Sequence, residues 1–400
     1  MWTLFLFMYI EDSCDRLCEK GEVNREVMII AKETAPHLRR KASVTRMMVD
    51  VLIALAPTLI FSFVVYPLNT LFVYLISVAI MIGAEFVFVG LKNMMPKDGQ
   101  KHSFKERFAY SYKGKYNQNN ILTPAISAII FTLIMPAGAP LYAVAIGALV
   151  GIVLGKLVFG GLGSNIFNPA AVGMLFAKLC FGSQYVTYVP TWYYTIPDAA
   201  AGATPLGLIN GGAFANFGQY QLFDLFFGRI PGTLGEVYKV TIIIGLIYLL
   251  VRRSADFRIV TSYLGTFSVL TLLVGVAVWS MNSGVNPFMF TLYNLLSGGV
   301  LFGATFMLTD PVTSPINRPS RIIYGMIAAV VTVLIRFFAA LPEGVGFSIL
   351  IANMIAVFLD HYEWSNPRYT WKNILAMALI VVLSGALVFL VTRFGGVYNG

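Results

Sequence analysis

Long apolar runs recur along almost the whole chain, and that recurrence limits the fold before any motif is considered. A chain in lipid must satisfy its own N–H and C=O groups, so such runs close on themselves as helices or barrels. Eleven spans are read, over 47–66, 68–91, 121–135, 141–159, 169–182, 238–251, 259–279, 291–309, 322–340, 345–361 and 374–393. The alternating ten-residue pattern of a membrane barrel is absent. With 58% hydrophobic and only 12% charged residues, the expected fold class is an all-α polytopic membrane protein. About ten core transmembrane helices form two inverted five-helix repeats, and an extra C-terminal helix follows.

A formal charge of +9 suggests nucleic acid in a soluble protein. Here the cations sit between spans and act as topology signals, so no nucleic-acid partner is expected. Arg39, Arg40, Lys41 and Arg46 precede the first span, and Lys92, Lys97, Lys101, Lys105, Arg107, Lys113 and Lys115 follow the second. Arg252, Arg253, Arg258, Arg318, Arg321, Arg368 and Lys372 fall on the same side. That side is the cytoplasm, and the N-terminus lies on it. The segment from Gly182 to Val237 holds Arg229 as its single arginine or lysine, which puts this loop outside. Met1 to Ile10 is apolar but lacks a basic flank, so a signal peptide is not expected. Met28 reads as an alternative start, with residues 1–27 a dispensable extension. Cys14, Cys18 and Cys180 make neither a disulfide framework nor a metal site.

An internal repeat supports the inverted arrangement. Leu133-Ile134-Met135-Pro136-Ala137-Gly138-Ala139-Pro140 resembles Leu308-Thr309-Asp310-Pro311-Val312-Thr313-Ser314-Pro315, and Gly161-Leu162-Gly163-Ser164 resembles Gly344-Val345-Gly346-Phe347. Five spans per unit, an odd number, turn the second unit over relative to the first. The resulting division is a cytoplasmic extension (1–46), a first repeat (47–182), an outer loop (183–237), a second repeat (238–361) and a C-terminal helix with tail (362–400).

Charge within the spans is costly and marks candidate sites. Lys156 precedes the first Gly-rich turn near the inner face, and Arg336 precedes the second near the outer face. Each has two readings: snorkelling to the interface, or steadying negative charge on a redox group at its own face. Asp50, Asp310 and Asp360 lie near inner span ends, where capping competes with ion handling. Glu85 lies deeper and, with Asp310, is an ion-path candidate for a proton or Na⁺.

The outer loop holds Asp198-Ala199-Ala200-Ala201-Gly202-Ala203-Thr204-Pro205-Leu206. Small residues leave the Thr204 hydroxyl open, and Pro205 keeps the preceding backbone extended. The three histidines, His37, His102 and His361, all lie on the inner side, so Thr204 is no hydrolase nucleophile. An open Thr without a base suits modification by another enzyme. Tyr185, Tyr188, Trp192, Tyr193, Tyr194, Phe214, Phe217 and Tyr220 surround it, as a surface for a planar ring or as an interfacial aromatic belt.

The Asp198–Leu206 stretch resembles the flavinylation motif of a family of membrane redox proteins. The family holds the D subunits of Rnf complexes, which are ion-translocating ferredoxin:NAD oxidoreductases, and the B subunits of sodium-pumping NADH:quinone oxidoreductases. Gly160-Gly161-Leu162-Gly163-Ser164-Asn165-Ile166-Phe167-Asn168-Pro169-Ala170, Leu308 to Thr313 and Leu341 to Val345 are similar to further family segments. The likeness covers roughly residues 30–362, and length with the Thr204-Pro205-Leu206 ending sets it nearer the Rnf branch. It implies FMN moved from FAD by a flavin transferase onto Thr204 through a phosphoester, with Asp198 the motif acid and Gly202-Ala203 the neck. The family has Ser or Thr where this chain has Ala201. Gly303-Ala304-Thr305 repeats the tripeptide but lacks the acid, position 299 being Gly, and reads as helix packing.

The resemblance also implies a second flavin, riboflavin, bound noncovalently at Asn165 and Asn168. Their amides can pair with the N3–H and carbonyl edge of an isoalloxazine. Helix capping by Asn168 is the competing reading. The implied role is an electron-transferring component in a bacterial inner membrane, assembled with the A, B, C, E and G subunits of an Rnf complex and coupled to Na⁺ or H⁺ movement. It is part of a translocase and not catalytic alone, since NADH and ferredoxin would react elsewhere. The rival expectation is a solute channel or transporter on the same repeat.

Overall fold

In the computed structural model, residues 44–93, 111–112, 116–185, 205–206, 221–281, 284–339, 344–361 and 369–394 are described. They form helices α1 (Val44–Val65), α2 (Pro67–Lys92), α3 (Asn119–Ile134), α4 (Leu141–Leu157) and α5 (Pro169–Tyr185). After the short α6 (Leu222–Phe227) come α7 (Lys239–Arg252), α8 (Phe257–Trp279), α9 (Pro287–Leu296), α10 (Val300–Met307), α11 (Arg318–Phe338), α12 (Val345–His361) and α13 (Trp371–Phe394). No named strand occurs among the described residues. The chain is an all-α polytopic membrane protein.

Local chemistry sets the ends. Pro67, Pro169 and Pro287 stand at first helical positions, where the missing N–H costs nothing. Asp256 caps α8 by accepting from the Arg258 N–H at 2.9 Å, and Asn286 caps α9 through the Phe288 N–H at 3.0 Å.

Neighbour relations recur between the halves. In the first, α2 packs on α3 and α4, and α4 on α5; in the second, α8 packs on α9 and α11, and α11 on α12. Between the halves like meets like, because α1 packs on α7 and α5 on α12. The two halves thus share this packing pattern. Small residues permit it: a Cβ at Gly245 would stand 2.7 Å from the Ala54 carbonyl oxygen, and one at Gly151 2.6 Å from that of Pro169. The helix α13 packs on α8 and α11, outside the repeated pattern.

Two expectations change. Among the described residues only α1, α2, α8, α11 and α13 are single helices long and apolar enough to cross a membrane, while α3, α4, α5 and α12 are apolar but shorter. The expected continuous span over 291–309 is instead α9 and α10, bent by 62°. The cause is Ser297-Gly298-Gly299, where Gly298 adopts φ 62°, a conformation open to glycine and closed to most residues. Second, the end of the expected outer loop folds into the bundle. Leu133 and Met135 carbonyls accept from Gly235 (2.7 Å) and Leu234 (3.0 Å), and Ile230, Leu234 and Val237 are buried.

Candidate functional site

Two polar sites lie at the broken and widened parts of the helices. The first surrounds the α9–α10 break. Arg336, on the last turn of α11, is 1% exposed. Its Nη1 donates to the Asn294 carbonyl at 2.7 Å and its Nη2 to that of Ser297 at 3.5 Å, while its Cζ lies 5.2 Å from the Phe267 ring centroid. A guanidinium thus grips the carbonyl end of a broken helix, the end where cations are favoured. Lys239, also buried, donates to the Gly298 carbonyl at 2.9 Å and to that of Glu236. Snorkelling is therefore not what the structure shows for Arg336.

Leu206 reaches this break. It is 1% exposed, and a Cβ added at Gly298 would meet its Cδ1 at 2.7 Å and Arg336 Nη2 at 3.4 Å. Pro205, Leu206, Ile230, Val237, Glu236 and Gly298 line one small cavity here. Thr204, Asp198, Gly202, Ala203 and Ala201 lie outside the described residues.

The second site is a cavity of about 80 Å³ against α1, α3 and α4. A π-helical stretch, Val153–Leu157, widens the end of α4 and carries Lys156. Lys156 Nζ lies 2.9 Å from Glu85 Oε2 on α2 and donates to Thr123 Oγ1 on α3 at 2.8 Å. Glu85, without a recognisable partner in the sequence, has Lys156. Two opposite charges are buried together, so removing either strands the other. Asn165, Asn168, Asp310, Thr305 and Thr309 line the same cavity, with Met47, Met48 and Val51 on its apolar wall. The structure thus brings together Lys156, Glu85, Asn165, Asn168 and Asp310, and keeps Arg336 apart from them.

The asparagines have duties within the fold. Asn168 Oδ1 accepts from the Ala170 N–H at 3.0 Å, capping α5, and Asn165 Nδ2 donates to the Phe167 carbonyl at 3.2 Å. Asp310 bonds within its own turn, accepting from the Val312 N–H at 3.1 Å, and Asp360, on α12, accepts from that of Ile316 in the loop before α11, at 3.1 Å. Asp50 instead joins α1 to α7, taking Arg252 Nη2 at 3.1 Å and Ser254 Oγ at 2.8 Å. Thr305 is fully buried in a second π-helical stretch, Gly303–Met307, and donates to the Leu301 carbonyl at 2.8 Å. No soluble enzyme reaches it.

Sequence reasoning missed Lys239, Thr123 and Leu206. Lys239 had a signal, a cation at the start of an apolar run; the others are ordinary residues made important by contact.

Comparison with known proteins bears on both sites. The model of the NQR2, RnfD, RnfE family matches residues 31–368. The B subunit of the Na⁺-translocating NADH-quinone reductase of Chromohalobacter salexigens is 37% identical over 242 residues, 59% of this chain and 57% of that protein. The Pseudomonas aeruginosa counterpart is 36% identical over 243 residues, 59% and 58% of the two chains. The match thus spans little more than half the length of these relatives. The D subunit of the Na⁺-translocating ferredoxin:NAD⁺ oxidoreductase complex of Acetobacterium woodii is 28% identical over 331 residues, 82% of this chain and 92% of that one. With the matched segment running from before α1 to beyond α12, and both sites inside it, the chain belongs to the NQR2, RnfD, RnfE family.

Proposed function

We propose that this chain is the membrane-embedded electron-transferring component of an Rnf-type ferredoxin:NAD oxidoreductase that moves Na⁺ or H⁺, with FMN esterified to Thr204. One observation carries the reading: Leu206, two residues beyond Thr204, is buried against Gly298 beside the buried Arg336. The loop motif and the family membership support it. In the attachment step the Thr204 hydroxyl oxygen would bond to the FMN phosphorus of FAD, giving up its proton, while the phosphoanhydride bond would break and AMP would leave. Gly202 and Ala203 are the small neck of the sequence motif next to that hydroxyl, and Asp198 is the motif acid.

The residues at the break suit such a group. Arg336 and Lys239 place two buried cations, with the Glu236 carboxylate nearby, at the end of the loop that would carry a phosphodiester and an electron-accepting ring. Bound flavin supplies the redox chemistry; the chain orients it and sets its field. A second, noncovalent flavin such as riboflavin would be held by Asn165 and Asn168, whose cavity of about 80 Å³, also lined by Lys156, must widen to admit it. Glu85 and Asp310 beside it are the ion-path candidates. NADH and ferredoxin react on partner subunits of the complex.

In-gel fluorescence under denaturing conditions tests the covalent flavin. Chain made with the transferase gives a fluorescent band that Thr204→Ala abolishes. A dark wild-type band sinks the redox assignment and favours the solute channel or transporter, for which the 62° break and the polar cavity are the supporting features. Labelling of intact cells with a membrane-impermeant reagent at the Thr204 loop tests its outer location.

A further inference from the structure

We propose that Leu206 is a positioning residue: it anchors the flavin-bearing loop in a notch that Gly298 opens in the broken helix. The proposal rests on the Thr204 flavin reading and adds what holds that loop in place. Three observations carry it. First, the isobutyl group of Leu206 occupies the volume a side chain at 298 would take, since a Cβ there would stand 2.7 Å from Leu206 Cδ1. Second, the break has a second cleared seat, because a Cβ at Gly299 would fall 2.1 Å from Glu236 Oε1. Consecutive glycines thus admit one side chain from the loop and one from the segment before α7. Third, the floor of the notch is fixed: Arg336 holds the Asn294 and Ser297 carbonyls, and Lys239 holds that of Gly298.

Chain geometry gives the anchor its consequence. Two residues of extended chain span at most about 7 Å. Seating Leu206 therefore sets that reach as the upper limit on how far Thr204 can lie from the notch. The anchor thus bears on where the attachment point can lie relative to an electron partner. Attachment itself needs the motif and an open hydroxyl, so the anchor affects placement of the flavin and not its loading.

The test uses the purified full chain in detergent. Leu206→Ala is expected to keep the full fluorescence of the denatured band while lowering the native flavin anisotropy, and Leu206→Met to restore the anisotropy. Full loading with unchanged anisotropy in Leu206→Ala overturns the anchor. A second measurement needs no flavin. With Cys14, Cys18 and Cys180 replaced by Ser, a cysteine introduced by Leu206→Cys is expected to react slowly with maleimide. Adding Gly298→Ala, which fills the notch, speeds that reaction about tenfold, because thiol reactivity follows exposure. Fast labelling regardless of residue 298 also overturns the proposal. A dark wild-type band together with a protected thiol removes the flavin reading and leaves the notch standing.

Discussion

Lys156 and Arg336 occupy like places in the two halves of the bundle, each near the end of the helix that precedes a Gly-rich turn in the sequence, yet they are held differently. Lys156 meets the Glu85 carboxylate 2.9 Å away and the Thr123 hydroxyl, bridging α4, α2 and α3. Arg336 takes the carbonyls of Asn294 and Ser297 at a 62° break and lies over Phe267. One cation closes a junction between intact helices. The other braces a gap into which loop residues fit. Like positions in the two halves thus do different work, locking on one side and seating on the other.

The largest effect should come from breaking the lock. Lys156→Met or Glu85→Gln alone strands a buried charge and should cost about 3–5 kcal/mol, read as a fall in thermal stability in detergent. The double variant Glu85→Gln with Lys156→Met should recover most of it. Equal losses in single and double variants would mean the pair is not the cause. Arg336→Met should cost less, about 1–3 kcal/mol for carbonyls left unpaired, and Arg336→Lys should recover only part because one ammonium cannot reproduce the two-pronged fork. If Arg336→Met proves the more destabilising, the contrast between lock and brace fails.

Glycine substitutions sharpen the same contrast. Gly151→Ala drives a methyl toward the rigid Pro169 carbonyl and should cost about 1–3 kcal/mol by overpacking. Gly299→Ala meets the movable carboxylate of Glu236 instead, and its midpoint temperature should fall less.

Much of the fold was legible. Apolar runs located the helices because lipid leaves the backbone no other solution, and Pro169 marked the start of α5. The two matched proline-spaced segments follow α3 and α10. The break at Gly298-Gly299 was not legible as a break: its flanks are apolar, and hydropathy is blind to a 62° bend. The burial of Ile230, Leu234 and Val237 was hidden because short polar-flanked segments read as loop. At the sites, charge type was visible but pairing was not, since Glu85 and Lys156 meet only through the packing of α2 on α4. Leu206 appeared as the end of a motif, and its burial depends on a notch elsewhere in the chain.

The smallest effect lies at the cation-bearing face. Burial alone would raise the Asp256 carboxyl, but the Arg258 N–H and the Arg321 guanidinium outweigh it and hold the group below the ordinary carboxylate value. A lowered folded pKa stabilises above the unfolded value, near 3.9, and that contribution is lost as pH falls through the folded one. Asp256→Asn should therefore flatten the acid limb of a stability–pH profile below about pH 4, with little change in its slope at neutral pH.

The central claim, an FMN ester on Thr204, is tested most directly by the intact mass of the purified chain produced with a flavin transferase. The expected result is one FMN adduct on the wild-type chain, absent from Thr204→Ala and retained in Thr305→Ala. A wild-type chain without the adduct, or an adduct that survives Thr204→Ala, would contradict it.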